Sequence, residues 1–303
     1  MADIPSLEIS NSRDFGEVRA EVARLVHAIR PGHEMVYIDH AFALAETASQ
    51  GLLLGYSSLL TPYHDHGHML EVVLCSVRLL HGLHLSGEVV DDLTIDACIV
   101  GALLHDTGYL MNNDEVSGTG AQFTITHVVR GAVFAETQLV DILPPDLMAA
   151  TSKVILTTDH RPVAVMPEFN SRAQRIAAQV TATADLIGQM ANREYLERLL
   201  LLYYEFNEAG ITVFKDVHDL LEKTGSFYKM MNGRIQRELG NLTPHLTKHF
   251  DQARGVRRNY YAESIDRNLD YLGSLVKEER QRRLDRLKRG GVVERALHLL
   301  ETP

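Results

Sequence analysis

Two short histidine strings carry the chemistry of this sequence: Tyr63-His64-Asp65-His66-Gly67-His68 and, beyond an almost wholly apolar stretch, His105-Asp106. Imidazole and carboxylate both bind first-row divalent ions at neutral pH, so His68 with the His105-Asp106 pair supplies donors that can close around one ion. A metal that holds a reactive water needs about one more ligand and one open position. Asp185, in Ala182-Thr183-Ala184-Asp185-Leu186-Ile187, is the best fourth donor. It is a lone carboxylate in an otherwise apolar helix beside Ile176, Val180 and Ile187, and a buried acid without a cation or donor is costly. Taken alone, Asp185 reads as a hydrogen-bonded core aspartate; beside the other donors it reads as a ligand.

The elements that must position these groups are helical, with no convincing strand alternation. Apolar residues recur every three or four positions over 14–30 and 40–55, which predicts an N-terminal helical cover. Residues 66–84 place Leu70, Val73, Leu74, Val77, Leu80 and Leu83 on one stripe after a helix start at Thr61-Pro62. Asp92 caps the next predicted helix, which is apolar on nearly every face from Ile95 to Leu104 and so belongs in the middle of a domain. It delivers His105 and Asp106 at its end, where Thr107-Gly108 breaks the pattern. Residues 111–122 are polar and glycine-containing and form a loop, either a lid over the site or a solvated connection. Further helices follow over 124–140, 145–158, 171–190, 193–208, 212–240 and 244–252, with a last pair within 260–300.

Composition bounds the rest. With 45% apolar residues, 303 residues can bury a large core, and one composite domain is favoured: a cover over 1–59, a core over 60–190 and a helical extension over 191–303. The formal charge of -10 argues against nucleic acid, which is held by large clusters of lysine and arginine. Cys75 and Cys98 lie in apolar segments without C-x-x-C spacing and read as reduced, buried residues. The acidic start Met1-Ala2-Asp3-Ile4-Pro5 lacks the order of a leader, and no apolar run approaches the ~18 residues of a spanning helix, so the chain is expected to be cytosolic and free of membranes. The mixed-sign run Lys277 to Arg289 predicts a solvated helix face rather than a basic docking strip. Arg254, Arg257 and Arg258 fit a surface ion-pair cluster better than a phosphate clamp. Apolar positions over 196–202 and 239–246 either pack on the core or form a homodimer interface.

In order and context, His68, His105, Asp106 and Asp185 resemble the HD-domain metal-dependent phosphohydrolase superfamily, whose pattern is a histidine, a His-Asp pair and a distal aspartate. The resemblance spans roughly residues 60–190 and implies an all-α, HD-domain helical bundle with added N- and C-terminal helices. Tyr63-His64-Asp65-x-x-His68 is similar to the Tyr-His-Asn-x-x-His signature of cyclic nucleotide phosphodiesterases. Leu156-Thr157-Thr158-Asp159 and Ala184-Asp185-Leu186 are also similar to segments of those enzymes. By that likeness His64 is the general acid that protonates the leaving oxygen. Four residues apart on a helix, His64 and His68 would share a face, with the ion lowering the pKa of His64 and Asp65 raising it. His64 is otherwise a surface or supporting histidine, and His66 is expected at the surface.

The resemblance also implies a second ion held by His127 and His160, with Asp106 bridging the pair. His127 competes with a plain helix-face role. His160 competes with Asp159, which is assigned to orienting an imidazole. The implied cofactors are one or two divalent ions per chain from among manganese, iron, zinc, magnesium and nickel. The implied reaction is attack of a metal-bound hydroxide on a small-molecule phosphomonoester or phosphodiester. The chain departs from the cyclic nucleotide enzymes at Thr107-Gly108-Tyr109-Leu110, where a further histidine is expected. It departs from the HD-GYP branch at Tyr109 and at Arg161-Pro162-Val163. Two alternatives stay open at this level: a di-iron HD-type oxygenase, since the same ligands suit iron, and a non-catalytic metal-binding regulatory module.

Overall fold

Apolar residues at helical spacing run through nearly the whole chain, and the computed structural model of the protein accordingly folds as an all-helical assembly. It describes residues 13–115, 117–161 and 165–301. Met1 to Pro5, Val116 in the 111–122 loop, and Pro162 and Val163 lie outside the described residues. Among the described residues there is no strand, only an isolated bridge between Tyr56 and Asn112. No helix there is long and apolar enough to cross a membrane.

The first helix, α1 (Phe15–Ile29), is capped by Asp14 and packs on α3 (His66–Leu85). α2 (Val36–Ser49) packs on α4 (Asp92–Leu104). The corner between α1 and α2 is tied to α4 through His33, whose ring nitrogens lie 3.0 Å from Asp92 and 2.9 Å from Asp96. The helix expected over 40–55 therefore starts and ends earlier. Two of the apolar residues that suggested it, Leu52 and Leu54, are 71% and 95% exposed and have no buried face to join.

α3 and α4 form the middle of the molecule. Every residue of α3 from Gly67 to Leu83 is buried, well beyond the single stripe that periodicity predicted. Its start is fixed by Asp65, whose Oδ1 accepts the His68 N–H at 3.0 Å, while Thr61 is occupied with the His64 carbonyl. α4 is capped by Asp91 rather than Asp92 through the Thr94 N–H at 2.9 Å. Asp92 instead pairs with Arg30 at 2.6 Å. The two cysteines are free and buried, and burial pushes both thiols up to about 12.

Against this pair lie α5 (His127–Leu139), α6 (Pro145–Thr157) and α7 (Arg172–Ala191), with α6 and α7 packing on α4 and α7 also on α3. α8 (Tyr195–Glu208), α9 (Val217–Arg237), α10 (His245–Arg254) and α11 (Tyr260–Leu275) follow. α10 covers α3 and α11 covers α7. One hydrophobic core runs from Phe15 to Ala296. The expected last helix pair is three helices, because α12 (Arg280–Arg286) is parted from α13 (Val292–Glu301) by Gly290 and Gly291 at φ of 64° and 62°. The charged run around α12 is not wholly solvated. Arg283 is buried and donates to the Val276 carbonyl at 2.7 Å and to Glu222 at 2.6 Å. Arg257 and Arg258 make the surface ion pairs expected of them, with Asp251 and Glu263.

The loop after the His-Asp pair is fastened rather than free. Thr119 donates to Glu208 of α8 through its N–H at 2.7 Å and its hydroxyl at 2.8 Å, and Glu115 pairs with Arg130 at 3.0 Å. These ties favour a structured connection over a swinging lid.

Candidate metal centre

The site forms where four element ends meet. His68 lies in the first turn of α3, so the Asp65 cap that starts the helix also aims the histidine inward. His105 closes α4, and its Nδ1 donates to the Ala102 carbonyl at 2.8 Å, which turns Nε2 inward. Asp106 then opens a short 3-10 turn, Thr107–Tyr109. That turn presses so closely on α5 that a Cβ on Gly108 would lie 1.8 Å from the His127 carbonyl oxygen. Only glycine admits this approach, and it brings His127 beside Asp106. Gly108→Ala should cost about 3 kcal/mol or more, since neither side of the contact is a flexible side chain. The loss is read from the denaturant midpoint, and an unchanged midpoint contradicts the packing described.

Two carboxylates organise the imidazoles. Asp106 Oδ2 lies 3.1 Å from His105 Nε2 and 3.4 Å from His68 Nε2, while its Oδ1 lies 3.7 Å from His127 Nε2. Asp185, from the middle of α7, places Oδ1 3.2 Å from His68 Nε2 and 3.9 Å from His105 Nε2. Its Oδ2 accepts from His160 Nε2 at 2.7 Å. Ligand atoms of His68, His105 and Asp185 all lie within 4.8 Å of one another. Each of these three residues and Asp106 is no more than 5% exposed.

Charge and burial push these groups apart in pKa. Burial lowers the pKa of His105, but the charge of Asp106 at 3.1 Å outweighs it and lifts it to about 9. Burial raises Asp106 and Asp185, yet the histidines around them hold both carboxyls well below the ordinary range. His127 has no strong ion pair, and burial drops it to about 4. Around the centre four buried polar atoms have no hydrogen-bond partner, His105 Nε2, Asp106 Oδ2, the Tyr109 hydroxyl and Arg234 Nε. Leaving such atoms without a partner costs about 1–3 kcal/mol each, and a cation bound by His105 Nε2 and Asp106 Oδ2 as neighbouring ligands would satisfy those two. By donor type and orphaned atoms, the residues fit a divalent ion.

The outer histidines differ from each other. His127 donates its Nδ1 proton to the Thr124 carbonyl at 2.7 Å, leaving Nε2 free toward Asp106. His160 accepts at Nδ1 from Arg234 Nη1 at 3.1 Å, so its proton sits on Nε2 and goes to Asp185. Holding a cation through that Nε2 requires the Arg234 contact to give way. Asp159 does not orient the ring. Its carboxylate is taken by Arg161, and only its carbonyl joins in, accepting from Arg234 at 2.6 Å.

His64 departs from expectation in a useful way. It lies in the turn before α3, not on the helix face with His68, so the four-residue argument does not place it. A different residue does. Its Nδ1 lies 2.5 Å from Glu205 Oε2, a fully buried carboxylate of α8, and Glu205 Oε1 accepts from the Tyr63 N–H at 2.7 Å. Burial lowers the pKa of His64, but the charge and hydrogen bond of Glu205 prevail and raise it. Asp65, the carboxylate expected to do this, is spent on the α3 cap and on Arg13 and Arg198 at 2.8 Å and 3.3 Å. Burial raises Asp65, and the two guanidinium groups bring it down to about 2. Tyr109 stacks between the rings of His64 and His127, with centroids 4.7 Å and 4.4 Å away. His66, expected at the surface, is half-buried against Phe15.

A family model described as Npun_R2479-like matches residues 111–254. The matched stretch carries His127, His160, Asp185, Glu205 and Arg234, and stops short of His68 and His105-Asp106. No curated protein and no solved structure matches the chain.

Proposed function

We propose that the chain is a metal-dependent phosphohydrolase of the HD type that cleaves a small-molecule phosphoester. One observation carries the reading. The residues that resemble the HD order, His68, His105, Asp106 and Asp185, converge on one buried point where His105 Nε2 and Asp106 Oδ2 lack partners. A divalent ion held there supplies Lewis acidity, which acidifies a coordinated water and polarises a phosphoryl oxygen. The chain does the rest. Asp106 and Asp185 supply two negative charges against the ion, and the Ala102 and Thr124 carbonyls fix the rings of His105 and His127. His64, whose protonated form is favoured by Glu205 behind it, delivers a proton to the departing alkoxide. Tyr109 packs flat on its ring and holds it in place.

Arg234 and Asp159 give this reading an internal contrast. Arg234→Ala removes the contact that must give way before His160 can bind through Nε2, and takes a guanidinium charge from beside the centre, so it should tighten metal binding by about tenfold. Asp159→Asn should leave metal affinity within about threefold, because its carboxylate serves Arg161. Titration of metal-stripped protein with zinc or manganese measures both, and weaker binding by Arg234→Ala, or a larger change in Asp159→Asn, would contradict the assignment.

The reaction is tested by reconstituting metal-free protein with manganese, iron, zinc, magnesium or nickel. Each form is then assayed on alkyl and aryl phosphomonoesters, phosphodiesters and nucleotides beside an oxygen electrode. Metal-dependent ester cleavage without oxygen uptake is expected. Oxygen consumption without cleavage would replace the reading with the di-iron oxygenase, and bound metal without turnover would replace it with the regulatory module.

A further inference from the structure

A second concavity adjoins the centre. Between α8 and α9 lies a half-enclosed cavity of about 420 Å³, walled by Leu199, Leu202, Phe206, Phe214, Phe227 and Met230. Its size is that of a small-molecule site. Of its polar lining, the Lys223 ammonium and the Thr224 hydroxyl are engaged by the protein, beside the hydroxyls of Tyr195 and Ser226. Lys223 Nζ donates to Asp219 at 2.8 Å and to the Val213 carbonyl at 3.1 Å, and the Thr224 hydroxyl donates to Leu220 at 2.8 Å. The cavity thus offers apolar surface and no free charge. Phe227 and Met230 are 38% and 47% exposed at its rim, apolar area that an occupant would cover.

Two further lining residues connect the cavity to the site. Tyr63 donates from its hydroxyl to Gln189 Oε1 at 2.6 Å, and Gln189 Nε2 donates to the Asp185 carbonyl at 3.1 Å. The Tyr63 ring also lies 4.9 Å from that of His64 and 6.3 Å from that of His68. Tyr63 is thus a wall shared by the cavity and the His/Asp cluster, which sets apolar surface one ring away from the cluster.

We propose that this cavity seats the uncharged aryl or alkyl group of the phosphoester, so that the substrate is an apolar alcohol or phenol carrying phosphate rather than a sugar or a polyanion. The inference rests on the phosphohydrolase reading, and its test separates the two.

The chain contains no tryptophan, so Phe227→Trp places a single indole at the cavity rim. Titration of that protein with 4-nitrophenol or 1-octanol should quench or shift its emission with saturation. Filling the chamber in the same background with Leu202→Phe, or with Met230→Phe should the first not fold, should abolish that saturable response. Retained metal content reports that each variant is folded. On the native metal-loaded protein, kcat/KM should rise along methyl, butyl and octyl phosphate by about fourfold per methylene over the first carbons seated. Hydrolysis with equal kcat/KM across the series, or no saturable binding of either probe, overturns the inference alone. Saturable binding that the filled variants lose, with no ester cleaved, upholds the apolar site and sinks the reaction instead.

Discussion

Asp106→Asn is expected to strip the protein of tightly held metal and to lower kcat/KM by about 10³-fold or more. Asp106 faces three imidazoles, those of His105, His68 and His127. One of its oxygens lies 3.1 Å and 3.4 Å from His105 and His68, and the other lies 3.7 Å from His127. Asparagine keeps the shape and removes the charge, so a loss on this substitution belongs to electrostatics rather than packing. A second readout follows from His105. In the metal-free protein its pKa stands at about 9 against an ordinary 6.5, so protonation stabilises the fold below about 6.5, and that stability drains away as pH climbs through about 9. A metal that takes Nε2 must displace this proton. Metal binding near neutral pH should therefore release a proton into the buffer, and the metal-loaded protein should lose the alkaline decline. Calorimetry in buffers of different ionisation enthalpy measures the release. If Asp106→Asn still holds the ion with native affinity, the bridging role fails.

Glu205→Gln should cost about 10²- to 10⁴-fold on alkyl esters, the usual share of a positioned acid, and about tenfold or less on 4-nitrophenyl esters. The difference lies in the leaving group. An alkoxide needs the His64 proton, whereas 4-nitrophenolate departs without it. Glutamine can still accept from the Tyr63 N–H, so the turn before α3 keeps its anchor while His64 loses the negative charge that raises its pKa. His64→Ala should show the same selectivity. Equal losses on both kinds of ester would assign Glu205 to structure and remove His64 as the acid.

The inner donors were legible in the sequence because their residue types are rarely found together in apolar helices. His105-Asp106 closes a helix with no polar face, and Asp185 interrupts another, so each stood out against its neighbours. The supporting groups were not legible because they reach the site from the far end of the chain. Glu205 meets His64 across 141 positions and Arg234 meets His160 across 74. One signal was present: Arg198, Leu201 and Glu205 fall at i, i+3 and i+7, which puts two charges on a stripe that the flanking leucines bury. Asp65 and Asp159 failed as guides to the imidazoles for one reason. Proximity in sequence suggested partnership, but each carboxylate was captured by guanidinium groups, Asp65 by distant Arg13 and Arg198 and Asp159 by adjacent Arg161. The helices themselves followed periodicity closely, and the departures at 50–55 and 287–291 are places where apolar residues face solvent or glycines turn the backbone.

Elemental analysis of the purified chain, before and after chelation and reconstitution, tests the central claim most directly. At least one divalent ion per chain is expected in the native protein, with little or none in His105→Ala and Asp185→Ala. Ester cleavage should return in proportion to ion restored. A chain that binds no divalent ion when offered manganese, iron or zinc, or that cleaves esters equally well with the metal removed, would contradict the account.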